Sequence, residues 1–180
     1  MTSRHAALSG DTMPASADQE RFLALLNQHK NILYKVAYTY CRQAEDRRDL
    51  VQDMAIQLWQ SYPRFDARVS FTTWTYRIAM NVAISFYRSE QRRIRDTVPI
   101  EDFGIDMAAA DEIFGEAQDN MRVLRKLVDA LDEMNRALVM LFFEGFSHDE
   151  IAAVLGITPT NVATRLNRIK QKLQQGFAAT

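Results

Sequence analysis

The chain predicts an all-α fold, two small helical domains joined by an acidic linker, and three observations carry that prediction. Apolar residues recur at three- and four-residue spacing from Gln19 onward. Alternating strand-like runs are nearly absent. Between the two helical stretches the pattern fails from Asp96 to about Gly115, where Pro99 and Gly104 interrupt a segment carrying Glu101, Asp102, Asp106, Asp111 and Glu112 without a single Lys or Arg.

The elements follow in order. Residues 1–18 form a Ser/Ala/Thr-rich tail without the apolar core of a signal peptide. Phe22, Leu25, Leu26, Ile32, Leu33, Val36, Ala37 and Tyr40 mark one helix, or two with a bend near Lys30; His29 falls on that stripe as a packed or edge residue. Glu45 to Ser61 places Leu50, Met54, Ile56, Leu58 and Trp59 at helical spacing and is stopped by Pro63. A third helix starts at the Ser70 cap and runs past Phe86 into the block Arg88, Arg92, Arg93 and Arg95. This delimits a first domain at 19–95, a linker at 96–115 and a second domain at 116–180. In the second domain Met121, Leu124, Leu127, Val128 and Leu131 lead to Leu138, Leu141 and Phe142.

The end of the chain is the most specific part. Ser147 followed by Glu150 forms a capping box ahead of Ile151, Val154 and Leu155, and Gly156 supplies the left-handed conformation that ends such a helix. Thr158 and Pro159 then start another, whose Val162, Leu166, Ile169 and Leu173 share one face while Arg165, Arg168, Lys170 and Lys172 carry positive charge. Helix, glycine turn and basic helix in this order make a helix-turn-helix, a unit that sets its second helix in a major groove.

Composition narrows the function. With 180 residues, 47% apolar, and a net charge of −1, the chain can bury substantial cores but cannot be a uniformly basic nucleic-acid coat. Nucleic-acid contact must rest on local basic blocks offset by acids elsewhere. Cys41 is the single cysteine, so no intrachain disulfide forms and a reducing, cytoplasmic setting is expected. The longest apolar run, Ala137 to Phe143, is far too short to span a bilayer. His5, His29, His148 and Cys41 lack metal-ligand spacing, and there is neither a Gly-rich phosphate loop nor a nucleophile-base pattern. The expectation is a protein that is no enzyme by itself, with no catalytic residue, metal or cofactor.

Asp49-Leu-Val-Gln-Asp53 with Leu58-Trp59, then Phe71-Thr-Thr-Trp-Thr-Tyr-Arg-Ile-Ala-Met-Asn81, resembles region 2 of bacterial sigma factors. The terminal helix-turn-helix resembles region 4. From about Gln19 to Leu173 the chain is therefore similar to an extracytoplasmic-function (ECF) sigma factor of the sigma-70 superfamily. The resemblance implies a promoter-specificity subunit that brings core RNA polymerase to −35 and −10 elements and melts the DNA. It implies docking on the polymerase β′ subunit through Asp49, Leu50, Gln52, Asp53 and Trp59, with β′ and β both partners of the whole protein. It implies −10 contacts by Asn81 and Trp74, with Arg77, Arg88, Arg92 and Arg93 on phosphates, and −35 contacts by Thr160, Asn161, Arg165 and Arg168. Asn81 suits a base edge because its amide donates and accepts at once. Where the family commonly has Gly-Thr-Val and a basic residue, this chain reads Thr160-Asn161-Val162-Ala163. The implied partners are core RNA polymerase, promoter DNA and a cognate anti-sigma factor, without membrane insertion. Two other readings stand beside this one: a conventional helix-turn-helix regulator that binds duplex DNA alone, and a sigma mimic that sequesters an anti-sigma factor.

Overall fold

Helix formation here follows the apolar spacing, and each helix end has a local cause. In the computed structural model, residues 16–97, 124 and 126–178 are described. The expected linker lies outside the described residues except at 96–97, and so does the tail up to residue 15. Helix α1 spans Ser16–Tyr40 as one element, continuous through Lys30. It buries Phe22, Ile32, Leu33, Val36, Ala37 and Tyr40. His29 sits at its edge, its ring 5.0 Å from that of Phe71 and its Nδ1 2.9 Å from the Leu25 carbonyl.

Helix α2 spans Ala44–Ser61, with Glu45 and Asp46 in its first turn, where the helix dipole favours negative charge. It passes into a short 3-10 turn, Tyr62–Arg64, at Pro63, which has no N–H to continue the ladder. Leu50, Met54 and Leu58 are fully buried, whereas Ile56 is exposed. Helix α3 spans Phe71–Thr97 and starts at the expected cap, where the Ser70 hydroxyl accepts from the Thr73 N–H at 3.1 Å. Its inner face carries Tyr76, Ala79, Met80, Ala83 and Ile84 against both preceding helices. Cys41 is buried beside them, and burial pushes its thiol up to about 11, as for a small hydrophobe rather than a reactive group.

Helix α4 spans Glu133–Phe143 and begins at Asp132, whose carboxylate accepts from the Asn135 N–H at 2.8 Å. Helix α5, His148–Leu155, has the full capping box: Ser147 accepts from the Glu150 N–H, and the Glu150 carboxylate accepts from the Ser147 N–H. Gly156 ends it at φ +69°, a conformation that costs a residue with a Cβ about 1–2 kcal/mol. Helix α6, Pro159–Ala178, follows at once, and Thr158 caps it by accepting from the Asn161 N–H. Val162 and Ile169 are buried against α4 and α5.

The two helical units are not merely tethered. Helix α3 packs against α4 and α5, α1 touches α4, and one apolar cluster runs through both units from Phe22 and Leu50 to Leu141 and Val162. Phe142 departs from the sequence expectation: it is 51% exposed, beside Phe143 at 67%. A helix of only eleven residues between two partners turns its remaining face to solvent.

Candidate nucleic-acid interface

Helix α3 divides its residues by face. The buried side holds the bundle together, and the opposite side presents Arg77, Asn81, Ser85, Arg88, Arg92 and Arg93, all exposed. Asn81 lines an open cleft between α2 and α3 together with Asp53, Gln57, Ser85, Phe86 and Ser89. That cleft offers amide, hydroxyl and carboxylate groups around an aromatic wall, the mixture that a single unpaired base requires. It also brings together Asp53 and Asn81, which the sequence had assigned to separate partners. Three of the arginines are already engaged: Arg88 Nε donates to Glu133 Oε1 at 2.7 Å, Arg92 Nε to the Arg88 carbonyl at 3.3 Å, and Arg93 Nη2 to Glu90 Oε2 at 2.8 Å.

Trp74 is half-buried in an aromatic cluster with Tyr62, Phe65 and Phe71, with ring centroids 5.0 to 6.4 Å away. Trp74 thus keeps part of its surface exposed, whereas Tyr76 is core. On α2, Asp49, Gln52 and Asp53 are exposed along one side. Leu50 is not part of that surface. It is fully buried, so its assignment to polymerase docking is corrected: the apolar side chain turns inward and anchors the helix that displays the acids. Trp59 is partly buried, its ring 5.0 Å from Phe22.

In the second unit, α6 presents the exposed Thr160 and Asn161 in its first turn, where the helix dipole favours phosphate. Arg165 lies one turn on, and its guanidinium donates to Asn161 Oδ1 at 3.0 Å and to Asn135 Oδ1 at 3.2 Å. This holds Arg165 and Asn161 as one polar unit. Arg168, Lys170 and Lys172 continue along the exposed side. Between α4 and α6 runs an apolar groove lined by Val139, Phe142, Phe143, Leu166, Ile169 and Leu173.

Sequence reasoning missed the residues that join the units. Arg136 is only 5% exposed, and its guanidinium donates to the carbonyls of Asp129 at 2.9 Å, Leu131 at 3.1 Å and Thr39 at 3.4 Å. It sits over the rings of Tyr87 and Tyr40, which cover the Nε left without an acceptor. Glu144 accepts from Lys35 at 2.7 Å and from Tyr76 at 3.0 Å; the lysine is the largest influence and holds its carboxyl below the ordinary range against the opposing effect of burial, with a lesser contribution from the tyrosine. The Arg88 guanidinium does the same for Glu133. The partners that meet across the two units stand 45 to 109 positions apart, and no local pattern pairs them.

Known proteins agree with this geometry. The family profile for sigma-70 region 2 matches residues 25–93 and that for sigma-70 region 4 matches residues 121–173. RNA polymerase sigma factor CnrH of Cupriavidus metallidurans is 30% identical over 169 residues, covering 88% of this chain and 87% of that protein. ECF RNA polymerase sigma factor SigX of Bacillus subtilis is 28% identical over 83% of this chain and 80% of its own length. For SigE of Mycolicibacterium smegmatis the values are 29% and 86%, and this chain spans 60% of that longer relative. A solved structure of CnrH in complex with the cytosolic domain of CnrY superposes with a TM-score of 0.64 at 25% identity, over 89% of this chain and 90% of that one. With both regions present in order, the chain belongs to the extracytoplasmic-function group of the sigma-70 family.

Proposed function

We propose that this protein is a promoter-specificity subunit that contributes no catalytic group of its own: it brings core RNA polymerase to a promoter, opens the −10 element with its first unit and anchors on the −35 element with α6. The observation that carries the reading is Asn81, exposed on α3 in an open cleft and flanked along the same helix by Arg77, Arg88 and Arg92. Asn81 reads a base edge, and the arginines hold phosphates without choosing sequence. Trp74 supplies a stacking surface at the start of the same helix. Asp49, Gln52 and Asp53, with the partly buried Trp59, form the docking surface for the β′ subunit. The apolar groove between α4 and α6 is a second protein-docking surface, assigned to the β subunit, because exposed contiguous apolar area marks such sites. Thr160, Asn161, Arg165 and Arg168 face the −35 duplex.

Among the described residues no helix is long and apolar enough to cross a membrane. The protein works in the cytoplasm, where its polymerase and promoter are, and a cognate anti-sigma factor restrains it there. CnrH with bound CnrY supports that last assignment.

Transcription in vitro with purified core polymerase and a pool of promoter fragments tests the reading. Discrete RNA 5′ ends that depend on the protein are expected. Asn81→Ala is expected to lower open-complex formation about tenfold, the worth of one good base contact, with polymerase assembly and −35 binding intact. Unchanged opening would remove Asn81 from the site, and an absence of starts would favour a free duplex binder.

A further inference from the structure

A line of polar side chains runs from the start of α4 to the first turn of α6. The Asp132 carboxylate accepts the Asn135 backbone N–H on Oδ1 at 2.8 Å and the Asn135 side-chain Nδ2 on Oδ2 at 2.7 Å. Asn135 Oδ1 accepts from Arg165 Nη1 at 3.2 Å, and Arg165 Nε donates to Asn161 Oδ1 at 3.0 Å. Asn161 is pinned a second time through its backbone N–H, which donates to Thr158 Oγ1 at 3.2 Å.

The order of these groups fixes which way each amide points. A carboxylate can only accept and a guanidinium can only donate, so an amide set between them has one orientation that satisfies both. Asn135 therefore turns its oxygen to Arg165, and Arg165 in turn claims the oxygen of Asn161. What Asn161 keeps for an outside partner is Nδ2, a donor. Arg165 is partly buried where Asn161 is exposed, and its Nε and Nη1 are both engaged within the protein. Its charge strengthens the bonds that hold the two amides in place.

We infer that Asn135 and Arg165 are positioning residues that make Asn161 a donor-only reader of the −35 duplex, one that selects a base with acceptors in the major groove, guanine first. The inference rests on the assignment of α6 to −35 DNA. Guanine offers N7 and O6, both acceptors, whereas adenine sets its N7 acceptor beside an N6 donor that needs the amide oxygen Arg165 already holds. Thymine, with the single acceptor O4, comes second, and cytosine presents a donor. Asn135 lies 30 positions before Arg165 and on another helix, so part of the sequence preference is written outside the helix that meets the DNA.

The test uses holoenzyme assembled from core polymerase and the full chain. It selects from duplexes randomised across the upstream promoter element, and sequencing of the bound pool gives the preference at each base pair. Asn161→Ala locates the pair that Asn161 reads, as the position whose preference collapses. There the wild-type protein is expected to favour guanine over adenine about tenfold, the discrimination of one good base contact. Asn135→Ala keeps the backbone N–H that Asp132 caps and removes the side-chain amide. It is expected to bring the guanine preference down to about twofold or less, with preferences at the other positions of the element unchanged. Those unchanged positions also show that the variant is folded. Adenine favoured by the wild-type protein would overturn the donor-only amide, and an unchanged ratio in Asn135→Ala would overturn the positioning role; either result leaves the −35 assignment standing. A uniform loss across all positions in Asn135→Ala would mark a structural residue and overturn the positioning role as well. A pool in which Asn161→Ala alters no position would take Asn161 off the duplex, and both the inference and that part of the −35 assignment would fall.

Discussion

In region 4 the helix boundaries are set by residues within a few positions of them: Ser147 with Glu150, Gly156 alone, Thr158 ahead of Pro159. In region 2 they depend far more on what the helices pack against. Gln43 precedes α2 without any side-chain cap, and α1 holds its long course by burying Phe22, Leu33, Val36 and Tyr40 against two neighbours. The contrast teaches where each region is vulnerable. A unit written locally loses little at each position, whereas a unit held by packing loses a great deal at a few.

The largest effect should come from that packing. Leu50→Ala leaves a cavity at a fully buried site and should lower stability by about 2–5 kcal/mol, read by chemical denaturation; a loss well under 1 kcal/mol would put Leu50 on the surface after all. Arg136→Ala comes next. It strands the carbonyls of Asp129, Leu131 and Thr39 and should cost about 1.5–3 kcal/mol while splitting one unfolding transition into two, since it joins both regions. Gly156→Ala attacks the local code. A left-handed backbone at φ +69° with open space around the position predicts a loss of about 1–2 kcal/mol from backbone strain alone, checked by thermal melting of the full chain.

The smallest effect concerns the cross-region carboxylates. Glu133 and Glu144 are held below the usual carboxyl range by Arg88 and Lys35, so their contribution is fully present above about 4.5 and is lost as pH falls through their lowered folded values. Scattering profiles should stay constant down to about pH 4.5 and expand below it, earlier than the loss of helix by circular dichroism. Coincident changes would mean that the regions do not separate before they unfold.

Much of this was legible beforehand, and the reason is the range over which each feature is encoded. The capping box, the glycine stop and the Pro63 break involve neighbours in sequence, so pattern and chemistry coincide. The exposed row Asp49, Gln52 and Asp53 and the position of Asn81 were readable from the resemblance and from helical spacing. The inward turn of Leu50 and the exposure of Phe142 were not, because helical spacing tells which residues share a face and leaves open which face finds a partner.

By itself the sequence determined the all-α class, the helix ends of the second region and the basic character of α6, since propensity, capping and charge act within a turn or two. Only the tertiary structure decided that the two regions close on each other, that Arg136 is buried between them, and that Glu133 and Glu144 sit on Arg88 and Lys35. Those pairings join residues up to 109 positions apart, and their energy exists only once packing has brought the partners within hydrogen-bond reach.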